Sequence, residues 1–140
     1  AASYLKKSGA DTIEVKKLFN SDIKDFITKA EIIQNAKVIN NNICLAYTKT
    51  ETDNINIVIA QAADELLNIK EVEASFVLAR KDDRVFISAR SLGNINVHVL
   101  MENLGGGGHR DMAGAQLDTS LEKAYEMVKD TIQTCIKEEE

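Results

Sequence analysis

The chain has 140 residues, of which 44% are hydrophobic and 28% charged, so it can form one globular domain with a core and is too apolar for a disordered segment. Its formal net charge is −5, so the surface as a whole repels polyanions and a broad footprint for duplex nucleic acid is excluded. The sequence contains no run near the ~20 apolar residues that a membrane span needs, and its first residues lack a signal-peptide layout.

Residues 1–20 are predicted to be a helical tail and connector that precede a domain over 21–140. The chain opens in a helix-like run without an initiator methionine, so we expect it to belong to a longer protein. Ser21 is typical of a helix N-cap, and the apolar residues that follow it at helical spacing predict one buried face. These residues are Ile23, Phe26, Ile27, Ala30 and Ile33.

The next segments predict strands and a helix that packs on them. Alternating apolar residues from Ala36 to Thr48, around Asn40-Asn41-Asn42, indicate a hairpin, and Ile55 to Leu67 has one apolar helical face. Two β-rich runs, Val72 to Ala79 and Arg84 to Ala89, carry apolar residues on both faces. They are therefore expected in the middle of a sheet, joined by a turn at residues 81–83.

The last third predicts a short helix, a strand and a long helix. The short helix follows a turn at residues 93–96, and the strand covers Ala113 to Leu117. Thr119-Ser120-Leu121-Glu122 has the capping-box pattern that begins a final helix. The fold class is therefore α/β, a single domain with a mixed β-sheet and helices packed on it.

The two cysteines lie in different predicted elements, Cys44 in a strand and Cys135 in a helix. Both suit buried apolar positions better than a disulfide framework or a metal site. A cytoplasmic compartment is the expectation that follows.

Four consecutive glycines, Gly105, Gly106, Gly107 and Gly108, precede His109. Glycine loses more backbone freedom on folding than other residues, so such a run is expected where the backbone must approach a ligand and direct N–H groups at an anion. His109 can donate a hydrogen bond to a phosphate oxygen. A flexible connection with an exposed histidine explains the same residues equally well.

A second polar cluster follows the predicted central strand, where ligands often bind in α/β sheets. Arg90 has a planar fork suited to a phosphate or a base edge, and Ser91, Asn94 and Asn96 add short polar side chains. Taken singly, these residues also fit an ion-pair partner, a turn residue and two helix caps. His98 is predicted to be solvated and is left out of the site.

Residues 87–97, Ile87-Ser88-Ala89-Arg90-Ser91-Leu92-Gly93-Asn94-Ile95-Asn96-Val97, together with the later glycines and His109, resemble the DHHA1 domain of the DHH phosphoesterase superfamily. Met112 departs mildly from the pattern, because alanine is common there. Within the superfamily the four-glycine version is most similar to the membrane-anchored bacterial cyclic-di-AMP phosphodiesterases. The resemblance implies a DHHA1-like fold and makes residues 1–20 the tail of a preceding DHH domain.

The resemblance implies a substrate-binding domain of a manganese-dependent phosphodiesterase that hydrolyses cyclic-di-AMP to a linear dinucleotide. It assigns the nucleotide and its phosphate to Arg90, Ser91, Asn96, the Gly105–Gly108 backbone and His109. The implied partners are a cyclic or linear adenine dinucleotide and the DHH domain of the same chain, with no long nucleic acid. The parent is expected to be membrane-anchored with a cytoplasmic catalytic region, and a homodimer stays open.

The manganese is expected in the missing DHH domain, and this chain is expected to have no cofactor and no catalytic residues of its own. It has only two histidines, His98 and His109, and neither an Asp-His-His triplet nor an Asp-x-Asp pair from which a two-metal centre could be built. We therefore expect it to bind adenine dinucleotides without hydrolysing them.

Three alternatives remain open at this point. The first is a DHHA1 domain of an oligoribonuclease, an adenosine bisphosphate phosphatase or a RecJ-like exonuclease, although an acidic chain with 5% aromatic residues is poorly suited to a long single strand. The second is a non-catalytic nucleic-acid-binding module, as in alanyl-tRNA synthetases. The third is a dimerisation or packing module with a vestigial loop.

Overall fold

Four helices and six strands lie in residues 23–139, the part of the chain that a computed structural model describes. The helices are α1 (residues 23–34), α2 (Ile55–Leu66), α3 (Val97–Glu102) and α4 (Leu121–Glu139), and the strands are β1 (Lys37–Ile39), β2 (Ile43–Thr48), β3 (Ala74–Lys81), β4 (Arg84–Ser91), β5 (Gly107–Gly108) and β6 (Met112–Leu117). The strands form one sheet in the order β1-β2-β3-β4-β6-β5. Only β2 and β3 pair in parallel, so the predicted mixed α/β sheet is confirmed. The tail predicted over residues 1–20 lies outside the described residues.

Both predicted hairpins form, and their turns use residues that tolerate left-handed backbone. Asn40 and Asn41 have φ angles of 53° and 71° between β1 and β2. Asp82 and Asp83 have φ angles of 52° and 65° between β3 and β4. The short polar side chains of Asn and Asp make this conformation accessible, which is why they are common in hairpin turns.

Two apolar layers enclose the sheet. Helices α1 and α2 cover one face, here called the α2 face, and α3 and α4 cover the other, here called the α4 face. Strand β3 is buried from Ala74 to Ala79 because it contributes to both layers, and it lies between β2 and β4. The prediction that β3 and β4 lie in the middle of the sheet is confirmed. Cys44 is buried in the α2 layer, as predicted.

Helix α4 begins one residue later than the capping-box pattern predicts. The hydroxyl of Ser120, not that of Thr119, accepts a hydrogen bond from the Lys123 backbone N–H at 3.2 Å. On its inner side, Ala124, Val128 and Ile132 are fully buried. Within residues 23–139, no helix has the length and hydropathy to cross a membrane.

The predicted buried face of α1 is wrong. Phe26, Ile27 and Ile23 are 65%, 52% and 41% exposed, while Thr28 and Ile32 are buried instead. The helix is oriented by polar contacts with α2, since Asn54 donates to Asp25 at 3.2 Å and Lys29 pairs with Glu65 at 3.1 Å. Of the predicted stripe, Ile33 packs against the α2 layer, whereas Ile23, Phe26, Ile27 and Ala30 are exposed and do not cover the core of this domain.

Candidate functional site

Strands β4, β6 and β5 place Arg90, Met112 and His109 in one row across the sheet. Arg90 is the register partner of Met112, and Met112 exchanges two backbone hydrogen bonds with His109, at 2.6 Å and 3.3 Å. Arg90 reaches Asp64 of α2, so this row lies on the α2 face. The structure therefore brings together two of the predicted site residues, Arg90 and His109, on one face.

The neighbouring row on the same face consists of Ser88, Gly114 and Gly107. It lies two residues along each strand from the first row, and side chains two apart in a strand point to the same side. Two of its three positions lack a side chain. The result is a nearly bare strip of backbone beside α2, which we call the glycine floor and define by Ser88, Gly114 and Gly107.

A groove of about 490 Å³ extends along the sheet from the glycine floor toward α2. It is lined by Asn56, Ile59, Phe86, Ile87, Ser88, Gly105, Gly106, Gly114, Ala115 and Gln116. Its walls combine apolar surface with a few amide and hydroxyl groups. Such a mixture suits a flat, partly polar ligand.

The first two glycines of the run end helix α3. Gly105 has a φ of 84°, and its N–H donates to the Glu102 carbonyl at 3.0 Å. The N–H of Gly106 donates to the Met101 carbonyl at 2.8 Å. This pair of bonds is the Schellman pattern that closes helices at a left-handed glycine. The N–H groups of Gly105 and Gly106 are thus used within the fold and do not point at a ligand.

Gly106 and Gly108 are required by close packing against β6. A Cβ atom on Gly106 would lie 2.7 Å from the Cβ of Ala115, and one on Gly108 would lie 2.8 Å from the Cβ of Ala113. A Cβ on Gly107 would meet nothing within 4 Å, and Gly107 does not have a left-handed φ. Of the four glycines, Gly107 alone has no requirement from the fold itself.

Arg90 is held in place rather than free. Its side chain is 13% exposed, its Nε donates to Asp64 Oδ1 at 3.0 Å, and one terminal nitrogen donates to the Ala89 carbonyl at 3.0 Å. The ion-pair role that the sequence left open is therefore present. The guanidinium still carries further N–H groups, because it has five donors.

Ser91, Asn94 and Asn96 each have a role in the fold. Ser91 is buried and its hydroxyl accepts from the Gly93 N–H at 3.0 Å, while Asn96 caps α3 by accepting from two backbone N–H groups at 3.1 Å and 3.3 Å. Asn94 donates to Glu73 at 2.9 Å. Hydrogen bonds from the amides of Asn42 and Asn94 lower the pKa of Glu73. None of the three predicted residues lines the groove.

Arg110 is a positioning residue that the sequence analysis did not single out. Its Nε donates to the Gly93 carbonyl at 2.9 Å, and its own carbonyl accepts from the Val97 N–H at 3.0 Å. These bonds tie the turn after His109 to the segment that follows β4. The imidazole of His109 is exposed and makes no hydrogen bond or ion pair to any residue in 23–139. In the sequence, the position of Arg110 beside the glycine run was the one indication of this role.

Residues 40–138 match the DHHA1 domain family. This chain belongs to that family. Two curated relatives are cyclic-di-AMP phosphodiesterases: GdpP of Bacillus subtilis, 44% identical with 94% of this chain covered, and PdeA of Listeria monocytogenes, 40% identical with 89% covered. The DHHA1 chain spans about a fifth of their lengths, 21% and 19%.

A solved structure shares the fold of this DHHA1 domain. An exopolyphosphatase-related protein from Bacteroides fragilis superposes with a TM-score of 0.69 at 21% identity, covering 79% of this chain and 34% of that one. At this identity the likeness concerns the fold alone.

A larger groove of about 600 Å³ lies on the α4 face, at the other end of the DHHA1 sheet. It is lined by Lys37, Tyr47, Lys49, Arg80, Ser120, Leu121, Glu122, Tyr125 and Glu126. It contains no residue that the sequence predicted for the site. We regard the smaller groove as the candidate site because Gly105 and Gly106 of the glycine run and Ser88 and Gly114 of the glycine floor line it. Gly107, Gly108, His109 and Arg90 do not line the groove and lie in the strand rows beside it.

Among residues 23–139, no group of three or more His, Cys, Asp or Glu side chains is placed to hold a metal ion. His98 pairs with Glu102 at 2.7 Å on the outer side of α3, away from the glycine floor. The Ser88 hydroxyl, the Arg90 guanidinium and the His109 imidazole at the candidate site can each donate a hydrogen bond to a ligand.

Proposed function

We propose that this DHHA1 domain is the nucleotide-binding part of a phosphodiesterase that hydrolyses cyclic-di-AMP to a linear dinucleotide. The observation that carries the proposal is the glycine floor. Gly107 leaves open space that the fold does not use, and the row beside it ends in the imidazole of His109, which has no hydrogen-bond or ion-pair partner among residues 23–139. The 44% identity to the Bacillus subtilis phosphodiesterase supports the choice of substrate.

The floor offers room for a planar ring. A nucleobase could lie against the backbone of Gly107 and Gly114, where any side chain would separate it from the sheet, while Ser88 supplies a hydroxyl. Hydrogen-bonded and non-hydrogen-bonded pairs alternate along an antiparallel ladder. Since His109 exchanges bonds with Met112, the N–H of the preceding Gly108 is directed away from β6, where it is available to a ligand.

The phosphate is assigned to the neighbouring row. His109 can donate from its exposed imidazole, and Arg90 can donate from the nitrogens that Asp64 and Ala89 do not occupy. The ion pair with Asp64 fixes the guanidinium before the ligand arrives, which lowers the entropy lost on binding. Ser91, Asn94 and Asn96 act by shaping this end of the sheet and not by contacting the nucleotide.

Hydrolysis is assigned to another part of the parent protein. Manganese held there, in a DHH domain, would supply the activated water and the charge stabilisation of phosphodiester cleavage. The present chain would bind the dinucleotide and orient its phosphate. The parent's domain contact, adenine selectivity and membrane anchoring belong to the same proposal.

Calorimetric titration of the 140-residue chain with cyclic-di-AMP, its linear dinucleotide and cyclic-di-GMP tests the binding step. We expect saturable, adenine-selective binding. His109→Ala should lower the affinity by roughly tenfold or more, because it removes one charge-assisted hydrogen bond to the phosphate. His98→Ala is the matched control, because it removes the other histidine from α3 and should leave affinity unchanged. Equal loss in both histidine variants would contradict the assignment.

The division of labour is tested by incubating the same chain with cyclic-di-AMP and manganese and following the linear product by chromatography. The expected result is binding without turnover. Turnover by the purified chain would show that the catalytic groups lie within these 140 residues and would overturn the assignment of hydrolysis to another domain.

A further inference from the structure

Helix α1 exposes a continuous apolar stripe to solvent. We call it the α1 stripe and define it by Ile23, Phe26 and Ile27, which are 41%, 65% and 52% exposed. Ala30, one turn further on, is exposed as well. A surface helix normally turns its apolar side to its own core, and a contiguous exposed apolar patch usually marks an interaction surface.

Two unpaired charges flank the α1 stripe on one side. Lys24 and Glu31 are seven residues apart, so they lie two helical turns apart on the same flank, and both are exposed. Neither forms an ion pair with any residue in 23–139. The charges of the other flank, Asp25 and Lys29, are already bound to α2.

We propose that the α1 stripe is the contact between two copies of this chain, which pack their α1 helices antiparallel about a two-fold axis. An antiparallel two-fold brings the same flank of both helices together and reverses its direction. With the axis midway between Lys24 and Glu31, Lys24 of each copy faces Glu31 of the other. The flank of one helix is therefore complementary in charge to the same flank of a second, antiparallel helix. This self-complementarity favours a second copy over an unrelated partner.

The charge balance of α1 fits self-association despite the net charge of −5. Over residues 23–34 the two lysines, Lys24 and Lys29, balance Asp25 and Glu31. The repulsion between two acidic chains is therefore not concentrated at this contact. Along the helix axis, the apolar residues from Ile23 to Ala30 are nearly centred on the midpoint between Lys24 and Glu31, where the two-fold axis would pass.

The proposed contact is separate from the nucleotide site. Helix α1 adjoins the flank of α2 that carries Asn54 and Glu65, whereas the groove is lined by Asn56 and Ile59 on the flank toward β4. Loss of the dimer should therefore leave nucleotide binding intact. Failure of one proposal would not imply failure of the other.

Sedimentation equilibrium of the 140-residue chain over a range of concentrations tests the proposal. We expect a monomer–dimer equilibrium that Phe26→Ser and Ile27→Ser shift to monomer. Both side chains are exposed in the single copy, and the contact of the Phe26 ring with the Lys29 ammonium, 5.5 Å away, is a weak one at the surface. The melting temperature measured at low concentration should therefore fall little. Ile57→Ser is the matched control, since Ile57 is a 58% exposed isoleucine on α2, and it should leave the dimer intact.

A charge exchange tests the antiparallel register. Lys24→Glu alone and Glu31→Lys alone each turn two attractive pairs into repulsive ones, so each should raise the dissociation constant by roughly tenfold. The double variant restores both pairs and should restore the dissociation constant. A chain that stays monomeric at all concentrations, a dimer that Phe26→Ser leaves unchanged, or a double variant no better than the singles would each overturn the proposal.

Discussion

Alanine substitutions at two adjacent glycines should have opposite effects on stability. At Gly106 the new methyl group would meet the Gly114 carbonyl and lie 2.7 Å from the Ala115 Cβ, against an ordinary carbon–carbon contact of about 3.5 to 4.0 Å. The backbone of β6 would have to move by roughly 1 Å. At Gly107 the methyl group would enter open space at a backbone conformation that alanine accepts.

The expected magnitudes follow from these two environments. Overpacking of this kind costs about 1–3 kcal/mol, so Gly106→Ala should lower the melting temperature by about 4 to 12 °C, at about 4 °C per kcal/mol for a domain of this size. Gly107→Ala restricts the unfolded chain without strain in the folded one. It should add about 0.4–1 kcal/mol and raise the melting temperature by up to about 4 °C.

Thermal unfolding followed by circular dichroism measures both shifts under identical conditions. A Gly106→Ala variant with the wild-type melting temperature, or a Gly107→Ala variant destabilised as much as Gly106→Ala, would show that the two glycines do not differ in this way. Nucleotide titration of the Gly107 variant adds a second readout. A stable variant with lowered affinity is the pattern expected of a residue kept for its ligand.

Three further outcomes follow from the contacts of single residues. Asp64→Ala leaves the largely buried Arg90 guanidinium without its carboxylate and should lower the free energy of unfolding, measured by chemical denaturation, by about 1 kcal/mol. A free energy of unfolding equal to that of the wild type would mean that the ion pair does not contribute to stability. Because the pKa of Glu73 is lowered, ionised Glu73 stabilises the fold above the ordinary glutamate pKa, and this contribution is lost as the pH falls through the lowered value. Acid titration should therefore destabilise the wild type more than Glu73→Gln. Burial raises the pKa of the Cys44 thiol, so this cysteine should resist alkylation until the chain unfolds. Rapid alkylation of Cys44 in the native protein, detected by peptide mass spectrometry, would contradict its buried position.

Much of the fold could be predicted because local chemistry and tertiary packing agree. The polar turn at Asp82 and Asp83 lies between two apolar runs, so the β3–β4 hairpin and its central position follow from sequence alone. Helix α1 could not be placed correctly, because periodicity identifies an apolar stripe without saying which surface covers it. Ile27 has the same helical spacing whether it meets this core or a second molecule.

The candidate site was predictable only in part, since one residue type serves several roles. The sequence grouped Ser91 and Asn96 with Arg90, but the hydroxyl of Ser91 holds a turn and Asn96 caps a helix. The four glycines look equivalent in the sequence and differ in the structure, where only Gly107 is free of a fold requirement. The role of Arg110 depends on a carbonyl 17 positions earlier, so the sequence offered no signal for it beyond its position beside the glycine run.

An NMR titration of the isotopically labelled chain with cyclic-di-AMP tests the central claim most directly, because it locates the ligand on the sheet. We predict saturable shifts of the backbone amides of Gly107, Gly108, His109 and Gly114, with little change around Tyr125 in the larger groove on the α4 face. The largest shifts around Tyr125, or no shifts in a folded chain, would contradict the proposal that the glycine floor binds the nucleotide.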